Sequence, residues 1–183
     1  MSSMKLPAMP IQPVSKKDKT MRDDLFALGR EAEIILLDYQ CTLCLNGTGR
    51  QAWLRNPDNR NRNYADWIRQ ETMREWLIPL IGGRHVILIT ARRSSWETVT
   101  LRRIREVLNW QPDEWYFNPD GDYLPPPQHK ERVIHSAVFP RFGTSEQTAY
   151  LALESNRLTR AMYQRNGVTA IRIDMPLEEL PLV

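Results

Sequence analysis

Apolar residues in this chain follow two spacings that alternate from residue 33 onward. Short, nearly continuous apolar runs at 33–37, 85–89, 115–117, 149–153 and 169–173 have the length of strands buried on both faces. Between them the spacing turns helical. Trp67, Ile68, Met73, Trp76, Leu77 and Leu80 predict a helix over 64–81, stopped by Gly82-Gly83. Val99, Leu101, Ile104, Val107 and Leu108 predict another, capped by Ser94 or Ser95. Further helices are expected around 130–138 and over 157–166, the latter stopped at Gly167, with a short one over 20–30. Strand and helix in alternation predict an α/β fold, a three-layer sandwich around a mostly parallel sheet with no large cap domain.

The polar stretches set the boundaries. Residues 1–30 carry Pro7, Pro10 and Pro13 ahead of the short helix and are expected to be a flexible or docking segment. The sandwich is expected to span 31–176, and the apolar end 177–183 to form a tail. A stretch over 46–63, rich in Asn, Arg and Gly, is expected to be a long loop or flap, and Asp120-Gly121-Asp122 with Pro125-Pro126-Pro127 a stiff loop.

Composition changes this picture in one respect. A chain of 183 residues with 42% hydrophobic and 26% charged residues is of ordinary globular type. It has no apolar run long enough for a membrane span and opens on no signal-like segment. Two cysteines cannot build a disulfide framework, so the expected location is a reducing cytoplasm. The net charge of +3 is unevenly spread: residues 50–105 hold twelve Arg and no Lys against five acids. Arginine offers a planar fork suited to phosphate, so a phosphorylated nucleotide or nucleic acid is an expected partner, with a solvated pair of helices as the alternative.

The candidate chemistry lies at strand ends. The run Ile34-Ile35-Leu36-Leu37 ends on Asp38, with Thr42-Leu43 following, and Val86-Ile87-Leu88-Ile89 ends on Thr90. Lys130 is the only lysine after residue 19, and Leu151-Ala152-Leu153 ends on Glu154-Ser155-Asn156. Open parallel sheets bind ligands at the carboxyl ends of their strands. Taken in order, these four stations resemble the motifs of the haloacid-dehalogenase (HAD) superfamily, whose first motif reads apolar-Asp-x-Asp-Gly-Thr-Leu. Gln40 stands here at the second Asp, Cys41 at the Gly, and Ser155 at a second late acid. The stretch from Thr90 through Trp96 to Thr100, the run Trp115–Tyr123, Lys130 and Met162-Tyr163 narrow the resemblance to a capless branch that includes the phosphatase domains of phage-type polynucleotide kinases.

That resemblance implies a HAD-like, Rossmannoid sheet and a Mg²⁺-dependent phosphohydrolase working through an aspartyl-phosphate. It implies Asp38 as nucleophile and metal ligand, Glu154 and the Gln40 carbonyl as further metal ligands, and Thr90 and Lys130 as phosphate binders. Arg92, Arg93 and Asn156 become substrate contacts. Gln40 carries no transferable proton, so the acid–base help usually worth roughly 10²–10⁴ in rate is missing there. The competing expectation is a catalytically degenerate member of the fold, serving as a binding or structural subunit and meeting a protein partner through the termini.

Two rival readings use the same residues. Cys41-Thr42-Leu43-Cys44 has the spacing of a thioredoxin-like redox site or half a zinc site, which His85, His129 and His135 would have to complete. The alternative is two small residues packing a turn. The six tryptophans are expected mainly in the core, with Trp53 and Trp96, beside arginines, as candidates to stack on bases.

Overall fold

The fold is seen in a computed structural model, which describes Ala27 and residues 31–45, 49–59 and 62–173. The docking segment, the tail and, Ala27 apart, the helix expected over 20–30 lie outside the described residues. Five strands form one parallel sheet: β1 (Ile34–Leu37), β2 (His85–Arg93), β3 (Glu114–Asn118), β4 (Tyr150–Glu154) and β5 (Thr169–Arg172), in the order β3-β2-β1-β4-β5. Helices cover both faces, and no large cap is present among the described residues. The expected α/β three-layer sandwich is therefore the observed architecture. Among the described residues no helix is long and apolar enough to cross a membrane.

The continuous apolar run of β1 follows from its position at the centre of the sheet. Ile35 and Leu37 point into one core with Leu77, Leu80, Ile81 and Ile104, whereas Ile34 and Leu36 point into the other with Val133, Ile134, Met162 and Tyr163. The first core lies under α3 (Leu77–Ile81) and α4 (Glu97–Leu108). The second lies under α5 (Pro126–Val133) and α7 (Arg157–Arg165). A strand flanked this way has no solvent face on which polar residues could alternate. Gly167, at φ +74°, turns the chain from α7 towards β5, where a Cβ would meet the Ser145 hydroxyl at 2.3 Å.

Several expected elements are redrawn. The helix expected over 64–81 is two short helices, α2 (Tyr64–Ile68) and α3, because the intervening chain pairs with the loop after β1. Leu45 N–H donates to the Thr72 carbonyl and Arg74 N–H to the Leu43 carbonyl. A capping box between Asn63 and Asp66 starts α2. Within the flap expected over 46–63 stands a further helix, α1 (Arg50–Arg55), with a 3₁₀ turn at Pro57–Asn59. Ser94 and Ser95 do not cap α4; they begin a 3₁₀ turn, and both hydroxyls bond to Asp120 instead. The helix expected near Lys130 starts earlier, at Pro126, with proline in its first turn. It continues through a π turn (Ile134–Val138) into α6 (Phe139–Phe142).

Strand order reverses at β1, whose neighbours β2 and β4 leave on opposite sides. Open parallel sheets bind ligands beyond the carboxyl edge at such a switch point, and the residue just past β1 is Asp38.

Candidate active site

Register brings the strand-end residues to one edge. Leu37 pairs with Leu88 on one side and Leu153 on the other, so Asp38 and Glu154 stand at the carboxyl ends of β1 and β4, while Thr90 lies inside β2, which runs on to Arg93, further than the apolar run predicts. The Asp38 N–H donates to the Leu153 carbonyl at 3.0 Å, which fixes the start of the loop.

Lys130 closes the group from α5. Its Nζ lies 2.6 Å from Asp38 Oδ1 and 2.5 Å from Glu154 Oε2. The remaining carboxylate oxygens are also held: the Thr42 hydroxyl donates to Asp38 Oδ2 at 2.9 Å, and the Asn156 N–H to Glu154 Oε1 at 2.7 Å. Side-chain exposure is 8% for Asp38 against 2% for Lys130 and 1% for Glu154, so all three are buried and Asp38 is the least enclosed. Burial would strip the proton from Lys130, but the two carboxylates outweigh it and hold the ammonium well above its usual range. Burial and the Asp38 charge push Glu154 up to about 7, against the pull of Lys130. Tyr163, buried behind the cluster, is raised chiefly by desolvation.

The loop after Asp38 is a tight turn. Leu43 N–H returns to the Asp38 carbonyl and Cys44 N–H to the Tyr39 carbonyl. Cys41 adopts φ +60°, the left-handed region that costs a side-chain-bearing residue roughly 1–2 kcal/mol. This is the position where the resembled motif carries glycine, and the geometry explains that preference. The Gln40 carbonyl accepts from the Ser155 hydroxyl at 3.1 Å, and Gln40 Nε2 reaches towards the Tyr64 hydroxyl at 3.5 Å. Ser155 N–H donates to Thr42 Oγ1, tying the end of β4 to the loop after β1.

Two of the remaining expected contacts are placed elsewhere. Arg92, expected to reach substrate, is buried in a bidentate ion pair with Glu71 at 2.6 and 3.1 Å. It also donates to the Thr100 hydroxyl and stacks 4.3 Å from the centroid of Tyr39. The Tyr39 hydroxyl completes the group by donating to Glu71 at 2.7 Å, and burial drives that phenol well above its ordinary range. Asn156 uses its side chain to cap α7, accepting from the Leu158 and Thr159 N–H groups. Arg93 is exposed, 3.8 Å from Asp120 and over the ring of Tyr123. Thr90 is fully buried, and its Oγ1 accepts from the Arg92 N–H at 3.2 Å.

Glu71, Tyr39, Thr42 and Ser155 were not singled out as site residues. Thr42 sits in the Thr-Leu pair of the first motif. The signal for Glu71 was weaker: one acid between Gln70 and Thr72 in an arginine-rich stretch.

The donor set bears on Mg²⁺. Two buried carboxylates share one ammonium, so the cluster is negative once Glu154, raised to about 7, is ionised, and the Ser155 hydroxyl ties the Gln40 carbonyl to the end of β4. Magnesium takes one or two carboxylates and fills its octahedron with waters, so these oxygens fit it. Zinc has no such set: among the described residues no group of three or more His, Cys, Asp and Glu could hold a metal. His85 instead contacts Glu114, and His135 contacts Asn166. His129 is buried against the Tyr116 and Thr90 carbonyls without reaching hydrogen-bond geometry, and desolvation lowers it to about 4. Cys41 and Cys44 form no disulfide, and the helix a thioredoxin-like site needs at the first cysteine is a turn.

Trp67 is core, whereas Trp53 packs against it at 5.8 Å and Trp96 packs edge-on against Tyr64 at 5.1 Å. Arg50 lies 4.2 Å over the same Tyr64 ring. A cluster of Arg50, Tyr64 and Trp96 therefore stands beside Gln40.

No protein-family model matches the chain, and no curated protein matches it significantly. Among solved structures it is similar in fold to a chain of "Structure of the Pnkp1/Rnl/Hen1 RNA repair complex", with a TM-score of 0.55 at 17% identity. The likeness covers 79% of this chain and 43% of that one, so this chain spans less than half the length of its structural neighbour.

Proposed function

We propose that this chain is a HAD-like phosphohydrolase-type domain that takes the phosphate of a nucleotide or nucleic acid onto Asp38. The observation that carries this reading is the convergence of Asp38, Lys130 and Glu154 within hydrogen-bond distance at the switch point of the sheet, with Asp38 the most exposed. The fold likeness to a chain of an RNA repair complex and the arginine-rich stretch over 50–105 support the substrate class.

In this reading one Asp38 oxygen attacks phosphorus, and a single displacement becomes two through a covalent aspartyl-phosphate. Lys130 keeps a full positive charge beside the attacking carboxylate and offsets the charge on the transferring oxygens. Thr42 orients the Asp38 carboxylate, and Ser155 orients the Gln40 carbonyl. Mg²⁺ would be held by Asp38, Glu154 and that carbonyl, and its chemistry is to neutralise phosphate charge and orient oxygens. Arg93, exposed at the rim, is available to substrate; Arg92 stabilises the fold.

A second reading, a catalytically degenerate binding subunit, is favoured by Gln40, whose amide carries no transferable proton. The two part on one assay with Mg²⁺ and 3′- and 5′-phosphorylated oligonucleotides, nucleotides and an aryl phosphate, which counts phosphate released together with phosphate bound covalently to the chain. A signal lost in Asp38→Asn supports the enzyme. Equal signals from wild type and variant across the panel support the binding subunit.

A further inference from the structure

Whether a phosphoryl group can move onto Asp38 depends on what its leaving oxygen requires. An alkoxide needs a proton delivered as it departs, whereas an acyl, aryl or phosphoanhydride oxygen departs as a stable anion. Among the described residues, the side chains bonded to Asp38 are all committed and offer no free proton for that oxygen. The Thr42 hydroxyl is committed to Asp38 Oδ2. Lys130 Nζ is held between Asp38 Oδ1 and Glu154 Oε2, and Glu154 is sealed behind it with its other oxygen on the Asn156 N–H. Thr90 is fully buried. Gln40, on the loop leaving Asp38, has an amide that neither gives nor takes a proton, and its carbonyl is engaged by Ser155.

We propose, resting on the function proposed above, that the site accepts phosphates whose leaving group needs no proton and then retains the phosphoryl group on Asp38. The donors are acyl phosphates, aryl phosphates and phosphoanhydrides such as a nucleoside triphosphate. In the first step an Asp38 oxygen bonds to phosphorus, and the bond to the leaving oxygen breaks. That oxygen keeps the electron pair and leaves as a carboxylate, phenolate or phosphate anion; no proton moves. In the second step a water oxygen attacks phosphorus, and the Asp38 carboxylate leaves with its electron pair. This water must surrender a proton, and Gln40 cannot receive it. A missing general base slows such a step by roughly 10²–10⁴, so the aspartyl-phosphate accumulates. Tyr64 is the rival proton donor, its hydroxyl lying 3.5 Å from Gln40 Nε2.

The test uses the full chain with Mg²⁺ and four donors: acetyl phosphate, ATP, p-nitrophenyl phosphate and a 5′-phosphorylated oligonucleotide. Intact-mass spectrometry reads the protein, and phosphate release is followed in parallel for wild type, Asp38→Asn, Gln40→Asp and Tyr64→Phe. The expected result is one added phosphoryl group from activated donors, absent in Asp38→Asn, with no more than about one turnover. Gln40→Asp is expected to lose the adduct and gain at least tenfold in release, extending to the oligonucleotide. Wild-type turnover of the oligonucleotide at the rate of the aryl phosphate overturns the proposal while leaving Asp38 as nucleophile. Loss of that turnover in Tyr64→Phe names the phenol as the donor. Turnover in Gln40→Asp without any wild-type adduct also overturns it. Neither adduct nor release in wild type and Gln40→Asp removes the nucleophile reading itself, and this inference with it.

Discussion

Lys130 and Arg92 are both buried cations beside the carboxyl edge of the sheet, and they are partnered in opposite ways. Arg92 meets one carboxylate, Glu71, in a two-pronged pair, with Tyr39 and Thr100 filling further hydrogen-bond positions. Arg103 also anchors the Glu71 carbonyl. Charge there is balanced and sealed from solvent. Lys130 meets two carboxylates, of which Asp38 is the less enclosed, and the cluster carries a surplus negative charge once Glu154 ionises near pH 7. Arg92 Nε lacks a hydrogen-bond partner, but it is sealed from solvent, and the balanced pair holds no surplus charge for a ligand. An unbalanced group at a switch point is poised for a cation or a phosphoryl group.

The comparison breaks most visibly on stability. Arg92→Leu strands the buried Glu71 carboxylate and is expected to cost about 3–5 kcal/mol in urea unfolding. Adding Glu71→Leu should restore most of it, since a whole buried pair is often replaceable by apolar residues. A loss under about 1 kcal/mol in the single variant would mean the pair is not a structural anchor.

Lys130→Met sharpens the other side. It removes the charge that faces the reacting oxygens, and transfer to Asp38 should fall by roughly 10²–10³ in single-turnover assays. Unchanged transfer would place Lys130 with Arg92 as a purely structural cation.

Acid titration separates the clusters next. Glu154 is raised from 4.5 to about 7 in the fold, so the folded state binds its proton more tightly than the unfolded chain. Its contribution to stability is fully present below about pH 4.5 and is lost as pH rises through about 7. Urea midpoints for wild type should therefore fall across that window relative to Glu154→Gln. Parallel curves would contradict the crowding of carboxylates around Lys130.

The smaller effects lie in the loop and at the rim. Cys41→Gly relieves the left-handed strain and should stabilise the protein by about 1 kcal/mol, read as a rise in melting temperature. Arg93→Ala breaks an exposed pair with Asp120 and an exposed contact over the Tyr123 ring, and should change stability by less than about 1 kcal/mol. A fall in oligonucleotide affinity in that variant would tie Arg93 to substrate.

The unequal legibility of the two clusters has a physical cause. Strand ends are marked in sequence by an apolar run stopping on a polar residue, which is why Asp38, Thr90 and Glu154 could be picked out. The single late lysine completed that set. Glu71 and Tyr39 carry no such mark, because their burial depends on how residues 69–76 cross the loop after β1. That crossing is tertiary, and helical spacing from Trp67 to Leu80 concealed it. Arg92 looked like a substrate contact because the partner that buries it could not be seen. Helix α1 was hidden in a polar stretch for a similar reason: Trp53 finds its contact on α2.

The most direct test of the central claim, that the Lys130 cluster is the reacting centre and Asp38 its nucleophile, is to locate the phosphoryl group. The full chain would be treated with acetyl phosphate and Mg²⁺, quenched, digested and mapped by peptide mass spectrometry. The account predicts one modified peptide, the one containing Asp38, with the group on that carboxylate. A phosphoryl group on any other residue, or an equal yield from Asp38→Asn, would contradict it.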